Sequence, residues 1–100
     1  MAKPEDKSDE VAINLASLDT YSLLTVFISL LSVQAWQDMG LRIIPGKEKI
    51  EKHPDRARKA IDCISYLIDS VEPHVGEEEK NRLRSLLADL QLNFVNQSKA

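Results

Sequence analysis

Cysteine occurs once in this chain, as Cys63, which excludes an internal disulfide and any cysteine-rich zinc site. A lone thiol fits a reducing, intracellular setting. The three glycines, Gly40, Gly46 and Gly76, fall in no phosphate-cradling pattern. The five aromatic residues are scattered, so they build no platform for stacking bases. The opening stretch MAKPEDKSDE is polar and acidic and lacks the basic start and apolar centre of a secretory signal. A cytoplasmic location is expected on that ground. Charge is the most telling absence. From Thr20 to Gln37, TYSLLTVFISLLSVQAWQ, no residue carries one.

That run holds Leu23, Leu24, Val26, Phe27, Ile28, Leu30, Leu31, Val33 and Trp36, which as a helix leave almost no polar side. A helix that is apolar all round must be buried on most sides or lie in lipid. Eighteen residues is the lower edge of a membrane span, and the hydroxyl groups and glutamines within it argue for burial in protein. A domain of 100 residues buries only about 60–65% of its unfolded surface, and small helical domains often gain the rest of their stability by oligomerising.

Residues 1–18 have no sustained apolar period and read as a flexible N-terminal tail, with a short docking segment at 11–18. The single α-helical domain covers 19–97. Asp19 is a good N-cap for a first helix at about 20–39, and Gly40 a good residue to end it. A long connection with a Pro45-Gly46 turn follows, its Leu41, Ile43, Ile44 and Ile50 suited to packing across the bundle. Pro54 suits the first position of a second helix at 54–72, where Ala57, Ala60, Ile61, Ile64, Leu67, Ile68 and Val71 share one face. Pro73 stops it. Glu77, Glu78 and Glu79 open a third helix at 77–96, with a buried stripe of Leu83, Leu86, Leu87, Leu90 and Phe94 that Leu92 and Val95 widen. The short link makes the last two helices an antiparallel hairpin. The fold class expected is all-α, a three-helix domain with one very apolar helix, and dimeric.

Three segments together resemble a known family: FISLLSVQAWQDMG, an apolar helix ending in glycine; ARKAIDCISYLID, with Ile61-Asp62; and GEEEKNRLRSLLADLQLNFV, with its glutamate run and Asp89-Leu90-Gln91-Leu92. They are similar to the bacterial domain-of-unknown-function family 1844. The resemblance implies an all-α cytoplasmic bacterial protein and carries over no activity. Before the glutamates the chain departs from the family's Lys-Thr-x-Gly-Asn-Leu-like stretch, having Glu72-Pro73-His74-Val75-Gly76 in its place.

Two sets of residues are candidates for function. Ser22, Thr25, Ser29, Ser32 and Trp36 are spaced 3, 4, 3 and 4 along the first helix and form a seam on which another backbone could approach closely. Arg42, Lys47, Lys49, Lys52, Arg56, Arg58 and Lys59 form the one basic block, a weak anion patch interrupted by Glu48, Glu51 and Asp55. Residues 1–19 carry net −3 and residues 41–60 net +4. His53, Cys63 and His74 match no metal spacing, and Asp62 and Asp69 stand about 10 Å apart on a helix, too far to share a proton. No catalytic motif, metal site or cofactor signature is present, so no enzyme is expected. The reading is a self-associating protein–protein interaction domain, its partner a second copy or another protein and not nucleic acid. The alternative is a peripheral membrane protein that inserts 20–37 and sets the basic block at 42–59 against the head groups.

Overall fold

The computed structural model of the chain describes residues 4–42 and 51–99, with side chains described over 10–42 and 51–97. Its elements are α1 (Pro4–Ala16), α2 (Thr20–Asp38), α3 (Pro54–Val71), a 3-10 turn (Glu72–His74) and α4 (Glu77–Lys99). The described residues are all-α, with four helices where the sequence reading had three. The additional one, α1, lies in the stretch left without regular structure. It buries none of its described side chains: Val11 is 56% and Ile13 68% exposed. With no packed face, α1 has no apolar period that would mark it in the sequence.

The ends of α2 follow from single residues. Asp19 takes an extended conformation and its Oδ1 accepts from the Ser22 N–H at 2.8 Å, satisfying a donor that the first turn leaves free. At the other end Gly40 has φ 80°, which costs a glycine little. The Gly40 N–H then donates to Gln37 O at 2.9 Å and the Leu41 N–H to Trp36 O at 3.0 Å, the paired bonds of a Schellman motif. The chain returns at His53, whose N–H donates to Asp38 O at 2.7 Å, so the end of α2 is tied to the start of α3. Pro54 occupies the first turn of α3. Asp38, buried at the α2 end, lies near Asp55 and Arg56 at the N-terminus of α3, where a negative charge is favoured.

α3 is the centre of the domain. Ala57, Ala60, Ile61, Ile64, Ile68 and Val71 are all buried on it. Ile28, Ala35 and Met39 of α2 and Leu83, Leu87 and Leu90 of α4 complete the core, with Leu24, Leu31, Trp36, Leu67, Leu86 and Phe94 packed around it. α2 runs antiparallel to α3, Phe27 lying near Leu67 and Asp38 near Asp55. α4 is likewise antiparallel to α3, with Arg84 reaching Asp69 and Val95 near Arg58. α2 and α4 are therefore parallel and flank α3, touching each other far less than either touches it.

Two polar contacts hold the hairpin end. Arg84 Nη2 donates to Asp69 Oδ1 at 2.9 Å, and its Nε donates to Glu72. The Glu72 bond, then the Asp69 bond, raise the Arg84 pKa and hold the guanidinium charged. The Tyr21 ring stacks on His74 with centroids 3.9 Å apart, joining the first turn of α2 to the turn before α4. Asp69 thus serves an inter-helix ion pair.

Ile64 has no exposed surface. Ile64→Ala should lower the unfolding free energy by about 2–5 kcal/mol, while Ile13→Ala on α1 should stay within about 0.5 kcal/mol; urea unfolding of the two variants checks this. A second expectation concerns Asp19. The Ser22 N–H, with help from its hydroxyl, holds the Asp19 carboxyl below the usual carboxylate range. A pKa depressed on folding gives stability that is complete above the unfolded-state value and lost as pH falls through the folded-state one. Asp19→Asn keeps a capping side chain but should flatten the fall in melting temperature below about pH 4, read by thermal unfolding across pH.

Candidate functional site

Because α2 rests mainly on α3, only one side of it is covered. Ile28, Ser32, Ala35 and Met39 face inward. On the opposite side the positions 23, 26, 30, 33 and 37 recur at 3, 4, 3 and 4, which places Leu23, Val26, Leu30, Val33 and Gln37 on one stripe. Leu30 is 56% exposed and Val33 37%, with Leu23, Val26 and Gln37 half-buried. Phe27, 41% exposed, lies on the stripe's flank. A soluble domain rarely leaves a contiguous apolar strip of this kind open to water.

Beside the stripe runs an open groove of about 730 Å³ between α2 and α3. Phe27, Leu30, Leu31 and Gln34 form one wall, and Lys59, Asp62, Cys63, Tyr66 and Leu67 the other. Tyr66 is 71% exposed. Cys63, expected to act as a small hydrophobe beside the core stripe, is exposed on this wall. The groove is therefore largely apolar, with one cation and one carboxylate. Its residues can hold another chain's side chains. Among the described residues no group of histidine, cysteine and carboxylate side chains could hold a metal ion, and no helix is long and apolar enough to cross a membrane.

The sequence-derived seam falls one residue short of this stripe, a rotation of about 100° around the helix. Its five members do not share one environment. Ser32 is buried and its hydroxyl donates to Ile28 O at 2.7 Å. The Thr25 hydroxyl donates to Tyr21 O at 3.0 Å. Ser22 joins the Asp19 cap, Trp36 packs at the edge of the core, and Ser29 is exposed. The seam thus marks the border between the covered and open sides of α2. Nothing in the periodicity could have separated the two sides, because the helix is apolar in every direction.

The basic block is also divided. Arg56 and Lys59 line the α2–α3 side, near Gln34 and Asp38. Arg58 faces the α4 side, near Gln91 and Val95. Lys52 Nζ donates to Gln97 Oε1 at 3.3 Å. Arg42 is exposed just past the end of α2. Lys47 and Lys49 lie outside the described residues, as do the Pro45-Gly46 turn and Ile43, Ile44 and Ile50. His53 Nε2 lies 3.4 Å from Glu51, and His74 is taken up by the Tyr21 stack, so the two histidines and Cys63 stay apart.

The sequence model of a family described as Domain of unknown function (DUF1844) matches residues 20–96. The chain belongs to that family. The match takes in α2, α3 and nearly all of α4, and so the open stripe and the groove, and it leaves α1 outside. No curated protein and no solved structure matches the chain. In this DUF1844 domain the unusual Glu72–Gly76 link forms the 3-10 turn and the extended Val75 that reverse the chain, with Gly76 O accepting the first bond of α4 from the Lys80 N–H at 2.9 Å.

The two serines of the border give opposite expectations. Ser32→Leu forces a larger side chain between α2 and α3 and should cost about 1–3 kcal/mol. Ser29→Leu adds its side chain on the water side and should leave the unfolding free energy within about 0.5 kcal/mol of the parent. Chemical denaturation of both variants separates them.

Proposed function

We propose that this domain is a non-catalytic protein–protein interaction module that self-associates through the open side of α2. The observation that carries the reading is the heptad-spaced stripe Leu23, Val26, Leu30, Val33 on a helix that carries no charge from Thr20 to Gln37, exposed along the groove walled by Cys63, Tyr66 and Leu67. Such spacing is what a second helix packs against with knobs in holes. A partner helix would cover the stripe while a bulky side chain such as Phe27 filled the groove, the usual anatomy of an apolar interface core with a polar rim. The surrounding Gln34, Lys59 and Asp62 supply that rim.

Peripheral attachment to an anionic membrane is the second reading, and the charges serve it less well. An interfacial helix carries cations along its polar face beside the buried apolar one. α2 has none, and the nearby Lys59 stands on α3 with Asp62 beside it.

Leu30 lies at the centre of the stripe, 56% exposed and outside the core, so its replacement should leave the bundle intact. Light scattering after size exclusion, over a hundredfold concentration range, should give a dimer for the parent chain. Leu30→Glu should give a monomer with unchanged helical circular dichroism, because a charge in the closed seam would be left unpaired away from water. A Leu30→Glu variant that assembles as the parent does would sink the proposal, as would a parent monomer at every concentration.

A further inference from the structure

We infer that the occupant of the α2 face is a second copy of this chain lying antiparallel, so that the acidic α1 of each copy sits on the basic start of α3 of the other. This rests on the self-association proposed above and adds its direction. The argument begins with charge. Within one chain the acidic and basic segments stand at opposite ends of α2, whose 19 residues span about 28 Å. α1 precedes the first turn of α2 and carries Glu5, Asp6, Asp9 and Glu10 against Lys7. Arg42 follows the last turn, and where the chain returns Arg56 and Lys59 lie alongside the C-terminal half of α2, near Gln34, with Asp38 and Asp55 beside them. Arg42, Arg56 and Lys59 are exposed and form no ion pair among the described residues.

Two-fold pairing of α2 with its counterpart has two solutions. The parallel one brings two acidic α1 helices together at one end and two basic clusters together at the other, so both ends repel. The antiparallel one, turning about Leu30, sets each acidic end against a basic end. Its layers pair Leu30 with Leu30 and Val26 with Val33, while Leu23 meets Gln37 at the edge, where the amide keeps its contact with water. Like charges in apposition penalise the wrong arrangement and opposite charges favour the right one.

Area points the same way. The α2 strip, about 28 Å by 10 Å, covers roughly 280 Å², well short of the ~800 Å² per partner of a stable complex. α1, about 20 Å long, and the flank of α3 are what can supply the rest. α1 holds Val11 and Ile13 exposed, so it is not seated on its own α2 and its apolar side chains stand free for another surface.

The test uses the whole chain and two readouts. In a Cys63→Ser background, Leu23→Cys and Gln37→Cys are oxidised separately and as a mixture. Antiparallel pairing gives a covalent dimer mainly in the mixture; a dimer from Leu23→Cys alone means parallel pairing and overturns the inference while leaving self-association standing. The unmutated chain supplies the second readout. Its dissociation constant should rise about tenfold or more between 50 and 500 mM salt as the end charges are screened. A constant that is flat or falls with salt overturns the inference. A monomer under all conditions, including one whose α1 has folded back on its own α2, overturns both this inference and the reading beneath it.

Discussion

One buried stripe has to serve two neighbours. Ala57, Ala60, Ile61, Ile64, Ile68 and Val71 give α3 a single apolar side, and both α2 and α4 pack on it. An amphipathic stripe is a little over 100° wide, so α2 and α4 lie side by side along it without closing on each other. α4 tolerates this better, since its outer positions are mostly Glu, Arg, Asn and Asp, with Leu92 and Val95 exposed only near its end. α2 does not, because its outer positions are Leu23, Val26, Leu30 and Val33. The open apolar face is thus a consequence of how narrow the α3 stripe is, and it would persist through any rearrangement that kept three helices on that core.

The parts of the fold written in single residues were legible in the sequence. Asp19, Gly40, Pro54, Pro73 and the glutamates at 77–79 each act on one backbone position, and the helix limits fall within a residue or three of where they place them. The stripes of α3 and α4 were legible because polar residues on their far sides leave one direction for the core. α2 offers no such contrast. Its inward side was legible only as the absence of charge, and the candidate seam of small residues landed on the border at Ser32 and Ser29. α1 was missed for a related reason. Pro4–Ala16 contains helix-forming residues but too few apolar ones to mark a packed face, and the structure accordingly gives it none. The basic block was legible as composition, but its division between the two flanks of α3 depends on register. Arg58 precedes Lys59 by a single residue, and that step turns the two side chains to different sides.

The placement of charge follows from the same geometry. A charge within the α2 stripe would have to be buried without a partner in any assembly that covers it, at a cost that exceeds what the pair could return. A stripe of aliphatic side chains alone, however, packs against many surfaces and in either direction, since van der Waals contact between leucines says little about orientation. Direction has to be encoded where charge can remain partly solvated, at the two ends of the helix. The acidic run before α2 and the basic run after it stand in those positions, and the helix between them is long enough, about three Debye lengths at physiological salt, that they scarcely feel each other within one chain. In the proposed pair their energy would be available only when the second copy brings the opposite end alongside. In the proposed pair, a helix uncharged from Thr20 to Gln37 and flanked by oppositely charged segments would separate two tasks: the apolar stripe would supply affinity, and the flanking charges would decide which way round the second copy lies.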